Sequence, residues 1–284
     1  MSTHITKSVL SAILQGKLFA LSLAALILPA AWLHAATVSL DFEGESAGSG
    51  TPPSGWSLIT VAGSPTYVTS AAGGGSNGTG GSSGLAGQVS STAFVNADLP
   101  GAYLVNSGSK SFDLNSSVTG SFDFQIVHEG TFDDIVFVLG DVADGITTTN
   151  AGELLSMKVA EVTSTGVAAV ISDGVGDEGI HRLATTGTTT PDDTWHRITF
   201  SWTPTSGLTG DFTYTVNNFS SDLFTLNATG FTFDNNIGYI GFGSVNDTIR
   251  FDNVSVTGAV IPEPSTAILA GLGLVGLCFR RRRK

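Results

Sequence analysis

Chemistry in this chain must come from carboxylates, a few histidines and some aromatic rings. Residues 37–261 contain His128, His181 and His196 and no cysteine; the single cysteine, Cys278, lies in an apolar run near the end. A catalytic thiol or a cysteine-ligated zinc is thereby excluded from that stretch. Two carboxylates across a groove could hydrolyse a glycosidic bond. Glu129, Glu153 and Glu161 are scattered, however, and Glu178 falls in a loop. His128 beside Glu129 reads as the polar tip of a strand rather than an acid–base pair. Neither a Gly-x-Ser-x-Gly elbow nor a His-Glu-x-x-His helix occurs. The residue types point away from an enzyme.

Binding chemistry has more to work with. Trp56, Tyr67, Tyr103 and Trp195 could stack on sugar rings if exposed. Trp195 and Arg197 fall on the parity opposite Ile198 and Phe200, which would turn them outward. Asp252 shares a parity with Val254 and Val256, which read as inward-facing. A carboxylate on an inward face needs a partner, and the only local cation is Arg250. A hard, oxygen-ligated cation such as Ca²⁺ would also satisfy it. Asp133-Asp134, Asp141 with Asp144, Asp173 with Asp177 and Glu178, and Asp192-Asp193 sit in turn-like stretches, where acids commonly serve the turn itself.

The elements that must position these groups are strands. Phe122, Phe124 and Ile126 share one parity; His196, Ile198, Phe200 and Trp202 alternate strictly, as do Phe212, Tyr214 and Val216. The run 135–139 is continuously apolar, as in a strand buried on both faces. The stretch 154–162 is ambiguous. Gly, Asn, Asp and Ser clusters separate these segments, and 70–87 is a Gly/Ser-rich loop. The pattern predicts an all-β domain over 37–258, an antiparallel jelly-roll β-sandwich. Threonine runs at 147–149 and 188–190 are isolated and form no regular array along the sequence.

The ends are of another kind. Lys7 and Lys17 precede an apolar stretch over 18–33, interrupted by Pro29 and followed by Ala35 and Ala36. This is the layout of a signal peptide over 1–36, helical in its apolar part and cleaved after Ala35 or Ala36. At the other end, Pro262-Glu263-Pro264 is followed by an apolar run over 267–279 and then by Arg280, Arg281, Arg282, Arg283 and Lys284. The prolines favour an extended, exposed segment, the run suits a membrane helix, and the cations hold its far end at the cytoplasmic side. Between the ends, residues 37–261 carry 5 cations against 23 acids, a net charge of −18. Nucleic acid is excluded as a partner, since too few cations exist to displace its counterions.

The tail over 260–284 resembles the PEP-CTERM sorting signal, also known as the ice-binding protein C-terminal domain. The resemblance implies an exported bacterial protein, anchored in the inner membrane by the C-terminal helix until an exosortase-type enzyme processes it. Its destination would be the cell surface or the extracellular matrix. Asp41-Phe42-Glu43-Gly44, the segment around Trp195-His196-Arg197, and Ile249-Arg250-Phe251-Asp252-Asn253-Val254 resemble patches of concanavalin-like, laminin-G and carbohydrate-binding-module sandwiches. That resemblance implies a structural Ca²⁺ held by Glu43 and Asp252 between the first and last strands. It also implies a non-catalytic domain that binds extracellular polysaccharide. The alternatives are a surface-coat protein without a specific ligand and a cryptic glycoside hydrolase.

Overall fold

A computed structural model describes residues 35–60, 64–71, 84–91, 94–96, 99–100, 102–106, 111–127, 134–141, 154–160, 169–176, 179–188, 194–245 and 248–261. The chain divides between His34 and Ala35 into two compact units, and all described residues belong to the second. The expected signal and C-terminal helices lie outside the described residues. Among those residues no helix is long and apolar enough to cross a membrane.

The described residues form eighteen strands, all paired antiparallel. One sheet is centred on β18 (Thr248–Ile261). On one side β18 pairs with β9 (Val118–Val127), and the sheet continues through β14 (Trp195–Ser206), β15 (Thr209–Asn217) and β16 (Asp222–Thr232). On its other side β18 has two partners in succession. Residues 248–251 pair with β4 (Ala86–Ser90), itself paired to β3 (Thr66–Ser70). Residues 254–259 pair with β1 (Ala35–Leu40).

The second sheet runs β2 (Ser57–Thr60), β7 (Ala102–Val105), β17 (Ile237–Val245), β10 (Asp134–Gly140), β11 (Leu154–Ala160), β12 (Ala169–Gly176) and β13 (Gly179–Thr186). The short β8 (Ser111–Asp113) ties the sheets together by pairing with both β17 and the last two residues of β18. A small pair, β5 (Phe94–Asn96) and β6 (Leu99–Pro100), stands apart. The predicted all-β, antiparallel sandwich is what forms, and the ambiguous 154–162 stretch contributes β11. The first strand begins at Ala35, two residues before the expected boundary, and the last runs to Ile261.

Alternation explains the layers. On β9, Phe122, Phe124 and Ile126 are buried in the core, and on β14 Ile198, Phe200 and Trp202 do the same. The apolar run on β10 is buried on both faces: Ile135, Phe137 and Leu139 enter the core, while Val136 and Val138 join Tyr103, Val105 and Leu154 in a second cluster. Aromatic rings join the sheets. Phe122 of β9 stacks on Phe137 of β10 at 5.4 Å, and Phe137 meets Phe200 of β14 at 4.6 Å. Phe242 of β17 stacks on Phe251 of β18 at 4.7 Å, with the rings 8° from parallel. Such pairs add about 0.5–1.5 kcal/mol each beyond the area they bury. Buried polar groups find partners here too: Trp202 Nε1 donates to the Leu114 carbonyl at 2.8 Å, and the Tyr214 hydroxyl donates to the Lys158 carbonyl at 3.2 Å.

Phe242 also meets Trp56 at 6.0 Å and Phe122 at 4.9 Å, so it joins strands of both sheets. Phe242→Ala should cost about 3–5 kcal/mol in urea unfolding, the usual cost of deleting a buried ring. A loss below about 1 kcal/mol would show that the sheets are not held together there.

Candidate functional site

The polar centre of the β18 sheet is built where β18 changes partner. Its ladder with β9 breaks between Asp252 and Ser255 in a β-bulge. Asn253 occupies the bulge in the left-handed region, φ 51°, which Asn tolerates better than most residues. The extra residue reverses parity. Before it, Ile249 and Phe251 enter the core; after it, Val254 and Val256 do. Asp252 therefore does not share the face of Val254 and Val256, as a regular strand would require. It lies on the outer face, opposite Asp123 of β9, which sits between the inward-facing Phe122 and Phe124.

Asp123 is fully buried and held by Arg197 of β14 through a two-pronged ion pair, Nε to Oδ1 at 2.6 Å and Nη2 to Oδ2 at 2.9 Å. Arg197 is 35% exposed, and its guanidinium lies 5.2 Å from the centre of the Phe219 ring. Asn253 joins the two acids: its Nδ2 donates to Asp123 Oδ2 at 3.0 Å and to Asp252 Oδ2 at 3.2 Å, and its backbone N–H donates to Asp252 Oδ1 at 2.7 Å. Loss of solvent pushes the Asp123 carboxyl up, against the pull of Arg197 and Asn253. Asp252 has no cation beside it. Burial, opposed by the Asn253 N–H and reinforced by Asp123, Glu43 and Asp41, raises it from 3.8 to about 7.

The last two of those acids place Glu43 in the electrostatic field of Asp252. β1 leaves the sheet after Leu40, opposite Val254. Phe42 then turns back in the left-handed region, φ 50°, and buries its ring against Phe251 at 5.4 Å. That turn costs about 1–2 kcal/mol for a residue with a Cβ; burying a Phe side chain contributes about 1.5–3 kcal/mol and offsets it. The exposed Glu43 accepts the Leu85 N–H at 3.2 Å. Both Asp252 oxygens are engaged by Asn253 and the residue is 2% exposed. No group of three or more metal-ligating side chains exists among the described residues. The set as arranged does not fit a Ca²⁺ cage; a proton on Asp252 fits it.

The four candidate sugar platforms are all buried: Tyr103 at 1%, Tyr67 at 4%, Trp56 at 7% and Trp195 at 9% exposed. Trp195 is buried yet belongs to neither apolar cluster. His196 is buried against Phe124 at 5.5 Å, its Nδ1–H donating to the Thr194 carbonyl at 3.1 Å, and burial lowers its pKa. His128, Glu129, Glu153, Glu161 and Glu178 lie outside the described residues, as do Pro262, Glu263, Pro264 and Arg280 to Arg283. The Asp123–Arg197 pair is new relative to the sequence reading. An acid between two inward phenylalanines signals an outer position, but nothing in the sequence names its partner.

Residues 260–283 match the PEP-CTERM protein-sorting motif. The chain carries that motif, which marks an exported protein. No curated protein sequence matches the chain. Among solved structures it is similar in shape to a winged bean acidic lectin complexed with methyl-α-D-galactose (11% identity, 80% of this chain and 100% of the lectin, TM-score 0.45). It is likewise similar to the Emp47p carbohydrate recognition domain (13% identity, 81% and 98%, TM-score 0.46) and to an alginate lyase from Aplysia kurodai (11% identity, 63% and 84%, TM-score 0.42). No ligand or activity passes to this chain from likenesses at that level.

Two outcomes follow. Arg197→Ala leaves Asp123 buried without its counter-charge and should lower stability by about 3–5 kcal/mol, with Arg197→Lys falling between it and the parent. Equal stability of all three in denaturant titration would remove the pair from the account. For Asp252, the folded chain holds a proton that the unfolded chain releases between pH 3.8 and about 7. Stability should therefore fall as pH rises through that window and level off above it. Asp252→Asn should remove the fall, raising Tm at pH 8 by several degrees, at about 2–4 °C per kcal/mol for a domain of this size. A Tm difference between the parent and Asp252→Asn that stays constant from pH 5 to 8 would contradict the assignment, since the buried His196 changes stability in the opposite direction and is common to both.

Proposed function

We infer that this is an exported bacterial surface or matrix protein whose β-sandwich holds extracellular polysaccharide without transforming it. The observation that carries this reading is the junction of fold and sorting motif. β18, central in its sheet, ends at Ile261 and is pinned there by β8; Pro262 follows directly. The sorting motif thus begins within the last strand of the sandwich. An exosortase-type enzyme is the partner such a motif implies, and the inner membrane is the site of retention before processing. The excess of acids supports a partner other than nucleic acid or an anionic lipid surface.

Two further readings have specific observations behind them. Asp252 and Asp123 are neighbouring acids, both raised by burial and one of them paired with Arg197, and a carboxyl pair is what a hydrolase would need. At 2% and 0% exposure, however, they are out of reach of a sugar. Ca²⁺ at Glu43 and Asp252 enters the proposal only as a competitor of the proton on Asp252.

The test uses the full chain in detergent, applied to a panel of neutral and anionic polysaccharides, with CaCl₂ and with EDTA, while reducing ends are assayed. The reading expects retention on at least one polysaccharide, no new reducing ends, and one Tm in both buffers at pH 7. Release of reducing ends would make it a hydrolase. A higher Tm in CaCl₂ would favour a cation at Glu43 and Asp252, and no retention at all would leave a coat protein.

A further inference from the structure

Strand register brings together hydroxyl groups that are far apart in sequence. Across six adjacent strands of the β18 sheet, Ser39, Ser255, Ser121, Thr199, Thr215 and Thr225 stand opposite one another in a single row. Two residues along each strand, Thr37, Thr257, Thr119, Ser201, Thr213 and Asn227 form a second row. Their neighbours along each strand, among them Val38, Val256, Gly120, Phe200, Tyr214 and Leu226, point inward and are buried or half-buried. All twelve row positions are exposed or half-buried.

We propose that these two rows are the docking face for a neutral, linear polysaccharide lying across the strands; this rests on the polysaccharide-holding reading above. Threonine on an exposed strand is common for its β-propensity alone, so the argument rests on three other features. First, the rows hold eleven hydroxyl residues and one Asn, and none of the 23 acids of residues 37–261 falls on them. In a domain of net charge −18, two rows without charge fit a neutral partner better than a uronate chain.

Second, half of the row positions are bonded to one another and half are open. Thr37 bonds Thr257 at 2.9 Å, Thr215 bonds Thr225 at 2.8 Å, and Thr213 bonds Asn227 at 2.7 Å. Among the described residues, Ser39, Thr119, Ser121, Thr199, Ser201 and Ser255 make no side-chain hydrogen bond. Each of these hydroxyls can both donate and accept, as can each hydroxyl of a sugar. Third, the rows have the repeat of a chain molecule. Strands lie about 4.8 Å apart, close to the advance of one extended pyranose unit, so successive sugars would meet successive strands. A crystalline surface such as ice is a poorer fit, because adjacent strands turn by roughly 20° and a rigid plane would register with only one or two. A protein partner would want a buried apolar anchor, and the rows contain none.

The test is affinity electrophoresis of the full chain in detergent, through gels containing hydroxyethyl cellulose or sodium alginate. The parent should be retarded by the neutral glucan and pass freely through alginate. A variant with Thr119→Val, Ser121→Ala, Thr199→Val and Ser201→Ala should bind the glucan about tenfold more weakly or worse. Thr199→Val alone, which keeps a β-branched side chain, repeats the comparison if the quadruple variant melts early. Unchanged glucan binding by both variants overturns the docking face but leaves the polysaccharide reading standing. Retardation by alginate and not by the glucan overturns the neutral partner. Retardation by neither overturns both.

Discussion

The rest of this domain depends on aromatic packing between its two sheets, which the short β8 also bridges by pairing with both. With its only cysteine at position 278, the sandwich has no disulfide. Phe122, Phe137, Phe200, Phe242 and Phe251 come from five strands of both sheets and touch in sequence. That contact sets the inward parity of every strand it involves. The outward parity, and with it the chemistry of the surface, follows as the complement. Gly120 belongs to this arrangement: a Cβ there would come within 2.8 Å of the Phe200 ring and the Ser255 carbonyl, so the ring and the neighbouring strand fill the space of its missing side chain.

One residue interrupts that order. Asn253 adds a step to β18, at the point where the strand trades β4 for β1. Asp252 is turned out of the core, then covered by Asn253 and surrounded by the field of Asp41, Glu43 and Asp123. The outcome is a carboxyl that keeps its proton nearly to neutrality and links stability to pH. Beside it, Asp123 is kept by Arg197, whose fork and stacking on Phe219 make it more than a point charge.

The sandwich was legible in the sequence because period-two alternation is a local signal. The Phe122–Ile126 and His196–Trp202 patterns placed their side chains correctly, and the doubly buried β10 was readable as an unbroken apolar run. Asp252 was misplaced because a bulge leaves no mark in hydrophobicity alone; the Asn after it was the only trace. Glu43 acts on Asp252 through its charge, in an arrangement suited to a proton. Burial of Trp56, Tyr67, Tyr103 and Trp195 depends on which strand or turn lies over each ring, which composition does not carry. The hydroxyl rows were invisible for the same reason: Ser39, Thr119, Thr199 and Ser255 are neighbours only through register.

The central claim is that a sorted sandwich presents two uncharged hydroxyl rows to a neutral polysaccharide. NMR shift mapping tests it most directly, on the full chain in detergent titrated with soluble hydroxyethyl cellulose. The account predicts that perturbed resonances centre on Thr119, Ser121, Thr199, Ser201 and Ser255. Perturbation confined to the seven-stranded sheet, or no perturbation at saturating glucan, would contradict it.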